Sequence, residues 1–153
     1  ISQNAFSICK GLKSIEFEPN SSLEIIENYA FYFLYGLKNI IFPDSVKEIW
    51  SSVFTGIFSL ESIQFLSKNI KINGYCFQNL SALSIVDFPN ALSITIGSNP
   101  ISEDGKMKFL IRKEAKLLGN GIEAIKDHIN YVTNDKANTS IINNDILKQQ
   151  KEI

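Results

Sequence analysis

The apolar skeleton of the stretch from Ile49 to Phe65, I-W-S-S-V-F-T-G-I-F-S-L-E-S-I-Q-F, occurs four times in the first hundred residues. That recurrence restricts the folds open to this chain more than any other feature of its sequence. Aligned on an Ala-Phe-like pair, the copies fall at Ala5-Phe6, Ala30-Phe31, Val53-Phe54 and Cys76-Phe77, with the phenylalanines 25, 23 and 23 residues apart. Six residues after each Phe, a leucine opens an L-x-x-[I/V]-x-F run: Leu12 to Phe17, Leu37 to Phe42, Leu60 to Phe65 and Leu83 to Phe88. Five residues before each Phe stands Ile1, Ile26, Ile49 or Ile72. Self-similarity at such a period is the signature of a stacked repeat architecture.

The spacing dictates the local structure. In Ile15-Glu16-Phe17 and its equivalents apolar residues alternate with polar ones, the period-2 pattern of a strand with one buried face. Strands this short are unstable alone, so the rungs must stack and bury a shared core. Pro19, Pro43 and Pro89 fall just past the strands, where a missing backbone donor does little harm. A shorter alternation precedes each Phe, as in Val46-Lys-Glu-Ile49, and predicts a second extended segment on the opposite side of the rung. Gly11, Gly36 and Gly56 lie in the turns where the chain doubles back. The period is about that of one leucine-rich repeat.

These residues carry a resemblance. The pattern is similar to the BspA-type leucine-rich-repeat family, whose repeats read roughly I-x-x-x-A-F-x-x-C-x-x-L-x-x-I-x-[I/F]-P. Ile1 to Phe17 reproduces almost all of it, including Cys9 three residues after Phe6, and Ile26 to Pro43 keeps the Ala-Phe pair and the strand-end proline. Later copies place Leu34, Ile57 and Leu80 in the cysteine slot. The expected fold is a curved, right-handed leucine-rich-repeat solenoid, mostly β with short turns or 3-10 segments, of about four rungs plus a C-terminal cap. The resemblance implies surface or secreted proteins used for adhesion or protein recognition, and no catalytic residues. The compartment stays open, with cell surface or secreted favoured by the resemblance and cytoplasmic as the alternative.

The expected organisation is a solenoid over residues 1–100, a cap over 101–131, and a polar segment over 132–153 that is disordered or belongs to a truncated next module. For the cap two readings stand open. Asp104-Gly105, a hairpin-type pair, separates Ile101-Ser102 from Met107 to Ile111, and a hairpin would cover the exposed end of the stack. Alternatively Asn120 and Glu123 form a capping box for a helix with Ile122, Ile125 and Ile129 on one face. The chain begins at Ile1, inside a repeat and without Met, which is expected of a fragment or processed piece.

Chemistry finds little support. Fifteen Lys and Arg against sixteen Asp and Glu give a formal net charge of -1, so no bulk attraction to nucleic acid or anionic membrane is encoded. No apolar run reaches the ~18 residues of a membrane span. Cys9 and Cys76, the only two thiols, are expected three rungs and roughly 14 Å apart, beyond disulfide reach, as small apolar residues in buried repeat slots. His128 is the only histidine, with no nucleophile elbow and no ligand pair for a metal. Glu16, Glu18, Glu61 and Asp87 are read as solvated strand-face residues rather than a glycosidase-type pair. No phosphate-binding glycine string is present. No catalytic residue, cofactor, metal or small-molecule substrate is therefore expected. Asn20, Asn79 and Asn138 begin N-glycosylation sequons, a faint sign of secretion.

Specificity is expected from the positions that alternate with the core: Ser14, Glu16 and Glu18; Asn39 and Ile41; Ser62, Gln64 and Leu66; Ile85 and Asp87. Ile41, Leu66 and Ile85 are apolar where polar residues would serve, and stacking should join them into one mixed patch. Trp50, aligned with Ser2, Glu27 and Asn73, is expected to face outward. The function expected is a non-enzymatic protein-interaction or adhesion module for a protein or extracellular-matrix ligand, with no nucleic acid and no membrane insertion. The alternative is a structural spacer within a longer repeat array.

Overall fold

A computed structural model describes residues 1–102 and 106–133. The chain winds as a parallel β-solenoid in which each turn gives one strand to each of two five-stranded sheets. Sheet A contains β1 (Ile25–Ile26), β3 (Glu48–Ile49), β5 (Asn69–Ile72), β7 (Ser93–Ile96) and β9 (Lys116–Leu118). Sheet B contains β2 (Asn39–Phe42), β4 (Ser62–Phe65), β6 (Ile85–Phe88), β8 (Lys108–Arg112) and β10 (Ile129–Val132). Every pairing is parallel, and the register joins repeat-equivalent residues: Ile26 with Ile49 and Ile72, Phe42 with Phe65, and Ile63 with Val86.

The repeated phenylalanines form the core. One column stacks Phe6, Phe31, Phe54 and Phe77 at centroid distances of 5.7, 6.2 and 6.0 Å. The other runs through Phe17, Phe42, Phe65 and Phe88 at 5.5, 5.1 and 5.2 Å. The columns touch through pairs such as Phe42–Phe54 at 5.6 Å. From Phe31 onward every member is fully buried, whereas Phe6 and Phe17 in the first turn are half-buried. Each fully buried ring contributes about 1.5–3 kcal/mol of apolar transfer, with offset stacking adding to it.

Two corners per turn adopt left-handed backbone. They recur at Asn4 and Ile8, Tyr29 and Phe33, Ser52 and Gly56, and Tyr75 and Asn79, with φ between 53° and 77°. Of the three glycines expected to supply turn geometry only Gly56 does so; elsewhere side chains as bulky as Tyr and Phe take the strained conformation, at about 1–2 kcal/mol each. Stacking over-determines these corners, since Phe6, Phe31 and Phe33 N–H groups donate to carbonyls of the following turn.

Two expectations for the C-terminal part change. The hairpin over Ile101 to Ile111 does not form: β8 pairs in parallel with β6, because Phe109 and Ile111 keep the inward alternation and make a further turn. The helix is a single turn, α1 (Ile122–Ile125), followed by a 3-10 turn at Lys126–His128. Gly121, not Asn120, stands at its N-cap, without a side-chain capping bond, and Ile129 begins β10. Gly121 is demanded by packing: a Cβ there would lie 1.9 Å from the Gly97 carbonyl. Asp104-Gly105 and residues 134–153, with the Asn138 sequon, lie outside the described residues.

Candidate functional site

Sheet B carries the positions singled out by register, and its outward face is less open than alternation implies. Asn39, Ser62, Ile85 and Lys108 align in one row, and Ile41, Gln64, Asp87 and Leu110 in another. Ser62, Gln64 and Asp87 are buried, at 9%, 3% and 6% exposure. Strands about 4.8 Å apart press like rows together, and the polar members satisfy one another. Ser62 Oγ donates to Asn39 Oδ1 at 2.7 Å, and Gln64 Nε2 to Asp87 Oδ2 at 2.8 Å. Burial pushes the Asp87 carboxyl above the usual range, partly offset by the Gln64 hydrogen bond and the Arg112 charge. Three of the expected contact residues thus belong to the interior of a polar ladder.

The remaining positions divide. Ile41, Leu66 and Ile85 are half-buried, and Ser14 and Glu16 are exposed. Glu16, Ile41 and Leu66 come together in a groove of about 480 Å³ between the first turn and β2, with Phe17, Glu18 and Asp44 also lining it. Ile85 does not line this groove. Trp50 lies at the end of β3, on the other sheet, half-buried rather than fully outward. Its side chain helps to favour the charged form of the Glu48 carboxylate, which accepts from Lys71 Nζ at 2.8 Å and Asn73 Nδ2 at 3.2 Å. Lys71 is the main cause of a lowered Glu48 pKa, against the raising effect of burial.

The groups weighed for chemistry are dispersed. Cys76 is buried, its Sγ 2.9 Å from the Trp50 carbonyl, and burial pushes its thiol up to about 12. Cys9, expected to be buried, is exposed, in the first turn of the described residues. The two thiols are free. His128 Nδ1 lies 3.0 Å from the Met107 carbonyl, and Glu61 pairs with Lys38 at 3.5 Å. Among the described residues no cluster of His, Cys, Asp and Glu could hold a metal, and no helix is long and apolar enough to cross a membrane.

A second surface went unread in the pattern. Along the edge that carries the chain from sheet A to sheet B, Tyr29, Tyr35, Phe58 and Tyr75 are 40–49% exposed. Tyr32 and Phe33 lie between them, half-buried, and the rings form a connected shelf: Tyr29–Tyr32 at 5.4 Å, Tyr32–Phe33 at 4.4 Å, Phe33–Tyr35 at 6.0 Å and Phe33–Phe58 at 5.7 Å. Phe33 lies against Gly56 of the next turn, where a Cβ would stand 2.6 Å from the ring. Tyr75 is fixed by Asn99 Nδ2, which donates to its hydroxyl at 3.0 Å. Residues 28–37, 50–60 and 73–83 contain no Asp, Glu, Lys or Arg. The available signal was surplus: Tyr29-Ala-Phe-Tyr-Phe-Leu-Tyr35 has five aromatic residues, and the core skeleton requires only Phe31.

A parallel solenoid whose turns repeat this apolar skeleton is a leucine-rich-repeat structure. The chain belongs to the BspA type leucine rich repeat region family, whose model matches residues 1–122 in six copies. Comparison with curated proteins and with solved structures finds no significant match. Leucine-rich-repeat solenoids are typically interaction modules without enzymatic activity.

Proposed function

We propose that the chain is a non-enzymatic protein-interaction or adhesion module for a protein or extracellular-matrix ligand. The aromatic shelf is the observation that carries this reading. Rings held at 4.4–6.0 Å from one another present large apolar contact area at little conformational cost on binding. Exposed Tyr residues of this kind supply binding hot spots. Ser14 and Glu16 in the first turn, with Asn39, Ile41, Leu66 and Ile85 on or beside sheet B, are the positions that would add contacts; Ser62, Gln64 and Asp87 hold that face in shape, and Trp50 would belong to a separate contact.

The test is binding of the immobilised chain to a panel of purified surface and matrix proteins. Tyr35→Ser with Phe58→Ser should weaken any captured partner by about 2 kcal/mol or more, while Leu92→Ser, which removes an exposed leucine from the turn entering β7, should leave it unchanged. Equal losses in both variants would sink the shelf. The alternative, a structural spacer, draws on the self-satisfied ion pairs along sheet A, where Lys47 pairs with Glu24 just before β3 and β1, and Lys71 of β5 with Glu48 of β3. A spacer should bind nothing in isolation.

A further inference from the structure

The stack is open at its last described turn, where three rows that register places in the core lose their cover. Val86 and Phe109 are fully buried, and Ile129, next in their row, is half-buried. Ile70 and Ile94 are buried, and Leu117 beyond them is half-buried. Phe88 and Ile111 are 0% exposed, whereas Tyr131, the next member of that row, is 54% exposed. A residue at an inward position with its side chain in solvent marks a layer with nothing on top of it. Among the described residues β9 and β10 are also the outer strands of their sheets. A repeat stack needs such an end covered, because core and strand edge are exposed together.

The sequence beyond Thr133 carries the spacing of another turn. In the regular turns an isoleucine, a phenylalanine and a leucine follow at intervals of five and six residues: Ile26-Phe31-Leu37, Ile49-Phe54-Leu60 and Ile72-Phe77-Leu83. Ile142, Leu147 and Ile153 stand at the same two intervals, and Ile146 precedes Leu147 as Ala30, Val53 and Cys76 precede their phenylalanines. One slot departs, since Gln150 stands where Leu34, Ile57 and Leu80 do. Eleven residues lead from Tyr131 to Ile142, against nine from Phe17 to Ile26 and seven from Phe42 to Ile49, so the connection is long enough to reach the same side of the stack. We propose that residues 134–153 dock on this open end as a further turn of the solenoid. Residues 141 and 142 would extend sheet A beyond β9, and Leu147 would stand on Tyr131 as Phe54 stands on Phe42 at 5.6 Å. With that turn in place the end of the stack is occupied by its own chain, and a partner is left the lateral surfaces. The proposal does not depend on the aromatic shelf.

The experiment is hydrogen exchange read by mass spectrometry on the full chain, on the chain cut after Thr133, and on two point variants of the full chain. Amides of β10 should exchange about tenfold or more slower in the full chain than in the cut chain, with β4 and β6 unchanged. Leu147→Asp, which puts a charge in the core slot, should reproduce the faster exchange, whereas Lys148→Asp, one residue outside it, should not. If the cut chain fails to fold, the two point variants ask the same question. A double-mutant cycle in urea gives a second readout: Tyr131→Ala and Leu147→Ala should lose less together than the sum of their separate losses, as touching side chains do. Equal exchange of β10 in the full chain and in Leu147→Asp, or additive losses in the cycle, would overturn the proposal. So would a helical difference spectrum between the full and cut chains in circular dichroism, since the segment would then cover the end as a helix. Dimers in sedimentation that Tyr131→Asp abolishes would overturn it as well, because a second copy would then occupy the end.

Discussion

Phe54→Ala should divide the solenoid energetically. Phe54 is fully buried and touches four rings: Phe31 at 6.2 Å and Phe77 at 6.0 Å in its own column, with Phe42 at 5.6 Å and Phe65 at 6.4 Å across the core. Truncating a buried Phe to Ala costs about 3–5 kcal/mol. Phe6 is half-buried and stacks only on Phe31, so Phe6→Ala should cost less than half as much, about 1–2 kcal/mol. In a one-dimensional stack each turn is held by its neighbours alone, so losing Phe54 weakens the interfaces on both sides of its turn. Urea unfolding followed by far-ultraviolet circular dichroism and by Trp50 fluorescence should show a lower midpoint for Phe54→Ala and, if the halves uncouple, two transitions. Phe54→Leu, which keeps most of the volume, should recover much of the loss. Equal destabilisation by Phe6→Ala and Phe54→Ala would refute the column as the source of cohesion.

Gly56→Ala should cost about 1–2 kcal/mol from its left-handed backbone and more from displacing the Phe33 ring; in a Phe33→Ala background only the backbone part should remain, measured by a double-mutant cycle. Asp87 holds its proton more tightly folded than unfolded, so its contribution to stability is complete below about pH 4 and is lost as pH rises through the raised folded pKa. Asp87→Asn, which keeps an acceptor for Gln64, should raise stability at neutral pH and flatten that slope in denaturant titrations; an unchanged slope would assign the dependence elsewhere. Titration with a thiol reagent should find Cys9 fast and Cys76 silent until the chain unfolds, because Cys76 is buried with its pKa near 12. Mass spectrometry of unreduced protein should find no link between them.

The fold was legible because every turn repeats the same inward residues, and Ile26, Ile49 and Ile72 or Phe42 and Phe65 meet in register as alternation requires. Two kinds of information were lost. Alternation assigns a side but not a depth, so Ser62, Gln64 and Asp87 read as open although adjacent strands enclose them. The skeleton also draws attention to its own conserved spacing within the chain, and so away from Tyr29, Tyr32 and Tyr35, which differ from turn to turn and lie on an edge rather than a strand face. The left-handed corners at Ile8 and Phe33 were hidden for a related reason: neighbouring turns impose a conformation those residues would not choose.

The parallel stacking also has a mechanical side. Hydrogen bonds between turns run along the solenoid axis, so tension between the two ends pulls directly on them instead of shearing strands past one another. Such a stack peels from an end, one turn at a time. The 23 residues from Phe31 to Phe54 would release about 80 Å of chain per event. Under load the chain should therefore act as an extensible tether, lengthening in equal steps while turns still folded keep their surfaces intact.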